Sequence, residues 1–320
     1  MHISTLFDIM SKTHTMKSTL YELLIVIMNK VWRNPSHRKE LMIRIISDTS
    51  TLYSVSEAEE KGIYVSPLAV TINDKTYEEF EEIQTEEFVE LIHQGHIPLS
   101  SQPAIGRVVD LYNRFPEDEI LNITMADGLS GTYQSALLAK NMVDDSERIT
   151  VLNSKTLCGP HRTLVEHAKR LADQNHTVSE IVVKLEKMIA SSRSFLIPQD
   201  FDYLRRGGRL SHLAAFVGKT IHLVPVMTLT KDGKQICNFS IKRSFTKAIL
   251  EIIRSLEEDK VGEDHKLYIS HSLAPSLAKT ASELLKAAFP HSDILIHKLS
   301  PAFTTQGGPF CIAIQSLSMA

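Results

Sequence analysis

Four short segments rich in hydroxyl side chains and glycine carry the chemistry that this sequence suggests. They are PLSSQPAIG (98–106), TMADGLSGTYQSA (124–136), FDYLRRGGRLS (201–211) and SPAFTTQGGPF (300–310). Hydroxyl groups donate and accept hydrogen bonds, and glycine lets backbone N–H groups approach a ligand closely. Three of them, at 124–136, 201–211 and 300–310, lie at or just after the end of a predicted strand, and α/β proteins bind ligands just beyond the carboxyl ends of their strands. Together the four segments predict a crevice for a small anion.

Each segment taken alone also fits a structural role. The letters SGT at 130–132 are typical of the start of a helix. The segment RRGGRLS (205–211) fits either a phosphate-binding loop or a glycine turn beside a solvated basic cluster. The anion site therefore depends on the four segments meeting in the folded chain.

The motifs of several common enzyme classes are absent from the sequence. The run DTST (48–51) stands after the first predicted strand, where a dinucleotide-binding fold has GxGxxG, and there is no P-loop. The 3 cysteines form no CxxC pair, and the 14 histidines are scattered without the i, i+4 spacing of a helical metal site. We expect no catalytic residue, no metal and no cofactor other than a bound ligand.

Composition places the chain among soluble globular proteins. Its 320 residues are 43% hydrophobic and 23% charged, which is enough for a large core and suggests two domains. With 35 basic and 38 acidic residues the net charge is -3, so the broad basic surface of a nucleic-acid-binding protein is missing. The unpaired cysteines indicate a reducing compartment, and we predict a cytoplasmic protein.

Residues 1–41 differ from the rest of the chain. Apolar residues from Met16 to Val31 recur at helical spacing and predict one amphipathic helix. Polar residues interrupt it too soon for a membrane span, and no cleavage site of a signal peptide follows it. Two explanations stay open, namely a start codon placed too early, because Met42 opens the first strand, or a genuine helix that touches a surface or membrane.

From Met42 onward, strand-like and helix-like patterns alternate. The predicted strands are 43–48, 63–72, 119–125, 148–154, 194–198, 223–230, 266–271 and 293–299. The predicted helices are 85–94, 132–143, 160–174, 177–191, 245–258 and 275–289.

This alternation implies largely parallel sheets with crossover connections. The segment TLTKDGKQICNF (228–239) instead predicts a hairpin that turns at Asp232-Gly233, and hence a second domain with mixed strand pairing. We predict an extension at 1–41, an N-terminal α/β domain at 42–192 and a C-terminal α/β domain at 193–320.

From Met42 to about Ser316, the ordered motifs resemble the DegV family, which includes the fatty-acid-binding subunits of bacterial fatty acid kinase. The matching motifs are SDTS (47–50), PLAVTI (67–72), SSQPA (100–104), DGLSGTYQSA (127–136) and RRGGRLS (205–211). The resemblance implies a two-domain fold, with one parallel α/β sheet domain, one mixed α/β domain and a fatty acid buried between them. Apolar runs at 195–198, 213–218 and 221–227 are candidates for the lining.

The resemblance assigns the ligand's carboxylate to residues of the first domain. Ser100 and Ser101 match the family's hydroxyl pair, and Asp127, Gly128 and Ser130 fall on its second binding segment. Asp127 replaces a serine, so its carboxylate either turns away from the ligand or favours a hydroxyl or amine head group.

In the second domain, the resemblance assigns four residues to completing the site and docking a kinase. They are Thr305, Gln306, Arg206 and Arg243, with Gln306 in the place of a histidine. The implied function is non-catalytic: the chain sequesters a long-chain fatty acid and presents its carboxylate to a dihydroxyacetone-kinase-like partner, with only transient membrane contact. Two alternatives are a carrier of another amphiphile and an enzyme that uses Asp127 as a general base beside Ser100.

Overall fold

A computed structural model describes residues 42–211 and 223–320 of the chain. The helix predicted within residues 1–41 lies outside these ranges. So do the apolar run at 213–218 and the first two residues of the run at 221–227. Within them, no helix is long and apolar enough to cross a membrane.

The first sheet has four strands, all parallel, in the order β2-β1-β6-β7. Its strands are short runs rich in β-branched residues, which favour extended backbone. They are β1 (Ile43–Asp48), β2 (Ile63–Ser66), β6 (Glu119–Thr124) and β7 (Ile149–Asn153). Parallel pairing brings the carboxyl ends of these strands, and the polar loops after them, to one edge.

The second sheet is mixed and has six strands in the order β10-β9-β8-β13-β11-β12. Only the β11–β12 pair is parallel. Its strands are β8 (Arg193–Ile197), β9 (Val224–Leu229), β10 (Ile236–Lys242), β11 (His265–His271), β12 (Asp293–Lys298) and β13 (Ile312–Ser318). A third, antiparallel sheet has the order β4-β3-β5 and consists of β3 (Ala69–Ile72), β4 (Lys75–Glu78) and β5 (Leu99–Ser101).

Ten α-helices occur in the described residues and cover both larger sheets. They are α1 (Val55–Glu60), α2 (Thr85–His93), α3 (Ile105–Asn113), α4 (Thr132–Lys140), α5 (Cys158–Asp173), α6 (Val178–Ser191), α7 (Phe201–Gly207), α8 (Phe245–Glu258), α9 (Pro275–Ala288) and α10 (Pro301–Gly307). Helix α8 shows why the apolar stripe predicts a helix, because Ala248, Ile249, Ile252, Ile253 and Leu256 all face the core of the second sheet.

The predicted α/β class, with one parallel and one mixed sheet, is confirmed. The hairpin at 228–239 is also confirmed, since β9 and β10 pair antiparallel around the turn that contains Gly233 (φ +71°). The second sheet is mixed, as the hairpin predicts, and the largely parallel pairing expected from the alternation holds for the first sheet. The domain boundary after residue 192 stays a prediction, and the described residues from Met42 onward pack as one unit.

The predicted strands differ from the structure at several points, because β4, β5 and β13 have no counterpart among them. The single strand expected at 63–72 is two strands in different sheets, because Pro67 has no N–H for a ladder and interrupts the pairing. Strand β13 has no counterpart in the sequence prediction, although it lies in the middle of the second sheet. Its buried polar residues, Gln315 and Ser316, break the apolar pattern of a central strand.

Candidate functional site

The candidate site is a cavity lined mainly by apolar side chains. The first half of the chain contributes the loop after β6 and the start of α5. The second half contributes β8, β9, β13 and α10. Lining residues include Met125, Leu129, Leu157, Leu196, Met227 and Phe303.

Two polar side chains, Arg209 and Gln306, define what we call the head end of the cavity. The Gln306 Nε2 atom donates to Ser100 Oγ at 2.9 Å. The Arg209 Nε atom donates to the carbonyl of Leu129 at 3.2 Å, and its Nη1 donates to the carbonyl of Gly207. Arginine keeps its positive charge at every physiological pH, so the head end attracts an anion.

Gly207 makes room for the Gln306 side chain. A Cβ atom on Gly207 would lie 2.0 Å from Gln306 Oε1, which is far inside van der Waals contact. The glycine turn of RRGGRLS therefore joins Arg209 and Gln306 in one wall. Sequence reasoning noted this segment but did not single out Arg209.

Ser100 and Ser101 take different positions on β5. Ser100 is half-buried and holds the carboxamide of Gln306, whereas Ser101 is exposed. Ser100 thus contacts a side chain that lies 206 residues away in the sequence. Direct contact of either hydroxyl with a ligand stays a prediction.

The loop after β6 forms its own local contacts. The backbone N–H of Asp127 donates to Asn153 Oδ1 at 3.3 Å, and its carboxylate accepts from Gln134 Nε2 at 3.1 Å. No hydrogen bond joins Asp127 to Ser100 among the described residues, so the arrangement offers no support for a general base acting beside Ser100. The Asp127 carboxylate lies toward Gln134 of helix α4, and its part in binding a head group stays a prediction.

Gly128 and Ser130 shape the same loop. A Cβ atom on Gly128 would lie 2.0 Å from the Cα of Lys234, so glycine is needed where this loop meets the β9–β10 hairpin. The hydroxyl of Ser130 lies 2.8 Å from that of Thr132 at the start of α4. Their role in carboxylate binding stays a prediction, whereas these contacts show that both residues shape the loop.

The predicted docking residues lie in three places. Thr305 is buried, and its hydroxyl donates to the carbonyl of Pro301 within α10 at 3.0 Å. Arg206 is exposed at the end of α7, with its guanidinium 4.7 Å from the ring centre of Tyr203. Arg243 is exposed just after β10. Gln306 lines the cavity, whereas Arg206 and Arg243 lie on the surface.

A buried carboxyl group that the sequence did not reveal connects two loops near the site. Glu79 has no exposed surface, and it accepts hydrogen bonds from the Thr49 hydroxyl and, at 2.9 Å, from the backbone N–H of Ala302 in α10. Burial raises the pKa of Glu79 to about 7, an effect that its hydrogen bonds oppose and that the charge of Asp48 reinforces. In the sequence, Glu79 lies in a run of acidic residues, and nothing in that run predicts that its carboxyl group is buried.

Two cysteines, Cys158 and Cys311, also line the cavity. Both are fully buried, which raises the pKa of Cys158 and raises that of Cys311 to about 12. Such thiols are protonated and weakly nucleophilic at neutral pH. In the part of the chain that the structure describes, no cluster of three or more His, Cys, Asp or Glu residues is placed to hold a metal ion.

The fold and the cavity define an α/β protein that encloses a largely apolar space with one charged end. Such a space suits an amphiphile with an anionic head group. The sequence model of the DegV family, described as "Uncharacterised protein, DegV family", matches residues 42–318. The chain belongs to the DegV family, as its ordered motifs predicted.

Relatives in sequence and structure agree with this assignment. Protein DegV of Bacillus subtilis is 30% identical over 254 residues, which are 78% of this chain and 89% of that protein. A crystal structure of DegV from Bacillus subtilis, described as a fatty acid binding protein, superposes with a TM-score of 0.77 and 27% identity over 87% of this chain and 100% of the other. A DegV family protein from Thermus thermophilus shares the fold, with a TM-score of 0.79 and 24% identity over 87% and 99% of the two chains.

Proposed function

We propose that this chain binds one long-chain fatty acid in the cavity, with the carboxylate at the head end. The observation that carries the proposal is an apolar cavity in which Arg209 and Gln306 face one end. The Bacillus subtilis relative, described as a fatty acid binding protein, supports the same ligand class. No residue of the site acts as a catalyst in this proposal, and the chain needs no cofactor.

The energetics favour a lipid over a small polar metabolite. Each methylene removed from water contributes roughly 0.8 kcal/mol, so a long acyl chain contributes on the order of 10 kcal/mol before entropic costs. A charge-assisted hydrogen bond adds about 1.5–3 kcal/mol. The apolar wall therefore supplies most of the affinity, and the head end fixes the orientation.

Native mass spectrometry of the purified chain with added palmitate tests the binding proposal. We expect one fatty acid per chain. A chain that takes up no palmitate contradicts the proposal.

Replacing Arg209 with methionine is expected to weaken fatty-acid binding roughly tenfold to a hundredfold, since a charge-assisted contact contributes about 1.5–3 kcal/mol. The fatty alcohol of the same length carries no charge, so its affinity is expected to change less than threefold. Titration calorimetry with both ligands separates the lost charge from a general disturbance of the glycine turn. Equal losses for acid and alcohol would show that Arg209 acts only as a structural tether.

We further propose that the bound carboxylate is presented to an acyl-phosphate-forming kinase of the dihydroxyacetone-kinase-like type. The exposed Arg206 and Arg243 are the proposed docking residues, Gln306 and Thr305 lie on the helix that borders the head end, and the kinase supplies ATP. This division of labour fits a chain whose site offers binding and orientation without a catalytic group.

Reversing both docking charges, in Arg206→Glu with Arg243→Glu, is expected to lower phosphorylation of the bound fatty acid at least tenfold without loss of fatty-acid binding. The measurement is acyl-phosphate formation by such a kinase with ATP. Arg254→Glu, at another exposed arginine on α8, is the matched control. Equal phosphorylation in the double variant and the control would contradict this docking surface.

A further inference from the structure

Strand β13 places a buried amide in the cavity wall far from the head end. Cys311, just before β13, and Ala313 and Gln315 within it all line the cavity, as expected of alternate residues along an extended chain. Gln315 is only 1% exposed. The proposed function uses no polar group there.

The orientation of the Gln315 carboxamide is set by its partners. Its Nε2 atom donates to the carbonyl of Leu157 at 3.0 Å and to Ser194 Oγ at 2.9 Å. A carbonyl oxygen only accepts hydrogen bonds, so the amide cannot be reversed without placing two acceptors together. The oxygen Oε1 is therefore an acceptor, and it is buried with no partner among the described residues. Buried acceptors in folded proteins are nearly always matched by a donor.

The position of Gln315 along the ligand follows from strand geometry. Cys311 lies beside the head end, since a Cβ atom on Gly307, next to Gln306, would be 2.5 Å from its Sγ. Gln315 is four residues further, or roughly 14 Å along the strand. An extended acyl chain advances about 1.25 Å per carbon with C–C bonds near 1.5 Å, so this distance corresponds to about eleven carbons.

Other polar groups surround Gln315 at this distal end of the cavity. Ser194 and Thr228 line it as well, and the Thr228 hydroxyl donates to the carbonyl of Ser194 at 2.9 Å. Both residues also line a wider, more polar groove beside the cavity. The methyl end of a saturated chain gains little from such surroundings, whereas a hydroxyl group would meet both donors and acceptors.

We infer that the preferred ligand is a long-chain fatty acid with a hydroxyl group on the distal part of its chain, which donates to Gln315 Oε1. The inference rests on the proposed fatty-acid binding and names the ligand class more narrowly. Gln315 is then the residue that selects the hydroxylated chain.

Titration calorimetry of the full chain with stearic acid, 12-hydroxystearic acid and 2-hydroxystearic acid tests the inference. We expect the 12-hydroxy acid to bind roughly five- to tenfold more tightly than stearic acid, as one buried hydrogen bond allows. The 2-hydroxy acid, with its hydroxyl beside the carboxylate, is expected to lack this gain. In Gln315→Met, which keeps the side chain's length but not its acceptor, the preference for the 12-hydroxy acid is expected to disappear. Gln94→Met, at an exposed glutamine after α2, is the matched control.

The outcomes separate the inference from the proposed function. If stearic acid binds and the 12-hydroxy acid binds no better, the inference is overturned while the proposed function stands. If none of the three acids binds, the proposed function fails first. Circular dichroism checks that Gln315→Met is folded, and if it is not, the three wild-type affinities alone decide. A preference that persists in a folded Gln315→Met variant also overturns the inference.

Discussion

Replacing Ala313 with phenylalanine is expected to abolish fatty-acid binding while the protein stays folded. Ala313 lies on β13, and its side chain lines the cavity between the head end and the distal end. A phenyl ring there would occupy the space of several methylenes of the acyl chain. Because the ring enters an existing cavity, it displaces ligand and not packed core, so the usual cost of overpacking is avoided.

The expected loss is at least a hundredfold in affinity, since displacing about four methylenes at roughly 0.8 kcal/mol each removes about 3 kcal/mol. Titration with palmitate measures the affinity, and thermal unfolding checks the fold. Ala287→Phe, at an exposed alanine on α9, adds the same ring outside the cavity and should bind like the wild type. Unchanged palmitate binding by Ala313→Phe would place the acyl chain somewhere other than this cavity.

Local patterns were sufficient to predict much of the fold. Helix α8 has the predicted bounds of 245–258, because its apolar stripe and the Ser244 N-cap are both local signals. The β9–β10 hairpin followed from the turn residues between two strand-like runs. In each case the residues that determine the element are neighbours in the sequence.

Strand β13 shows where local reasoning fails. A central strand is expected to be continuously apolar, yet β13 buries Gln315 and Ser316. The Gln315 Nε2 atom donates to the carbonyl of Leu157 and to Ser194 Oγ, which are more than 100 residues away in the sequence. The partners that make a polar residue acceptable in the core are therefore invisible until the chain has folded.

The candidate site was predicted in part for the same reason. The motifs that resemble the DegV family identified the segments containing Ser100 and Gln306, and those two side chains do meet. They did not single out Arg209, because its place in the cavity wall depends on carbonyl groups of Leu129 and Gly207. Motifs identify which loops converge, whereas the contacts between loops decide which side chain faces a ligand.

Removing the carboxyl group of Glu79 is expected to change how stability depends on pH. The folded-state pKa is about 7 and the ordinary value is 4.5, so between these values the folded protein binds more protons than the unfolded chain. Stability is therefore highest below about pH 4.5 as far as Glu79 is concerned, and it falls as the pH rises toward 7. The loss is on the order of 3 kcal/mol, at 1.36 kcal/mol per pKa unit.

Glu79→Gln removes this titration, so the difference in unfolding free energy between the wild type and the variant should shift by about 3 kcal/mol between pH 4.5 and pH 8. Urea unfolding across this range measures the difference. Burial lowers the pKa of His161, which weakens stability in acid, but this contribution is common to both proteins and cancels. Glu87→Gln, at an exposed glutamate in α2, should track the wild type, and a Glu79→Gln difference that is flat with pH would contradict the assignment.

The same carboxyl group joins the first half of the chain to the helix that carries Gln306. One oxygen accepts from Thr49 after β1, and the other accepts from the backbone N–H of Ala302 in α10. An ionised Glu79 offers both oxygens as acceptors, whereas the neutral form must turn one of them into a donor. Ionisation thus strengthens the contact that positions α10 while it lowers global stability, because a buried charge is costly even when it is well bonded. Glu79→Gln, with a single acceptor oxygen, is expected to be the more stable protein at pH 8 and the weaker binder of palmitate.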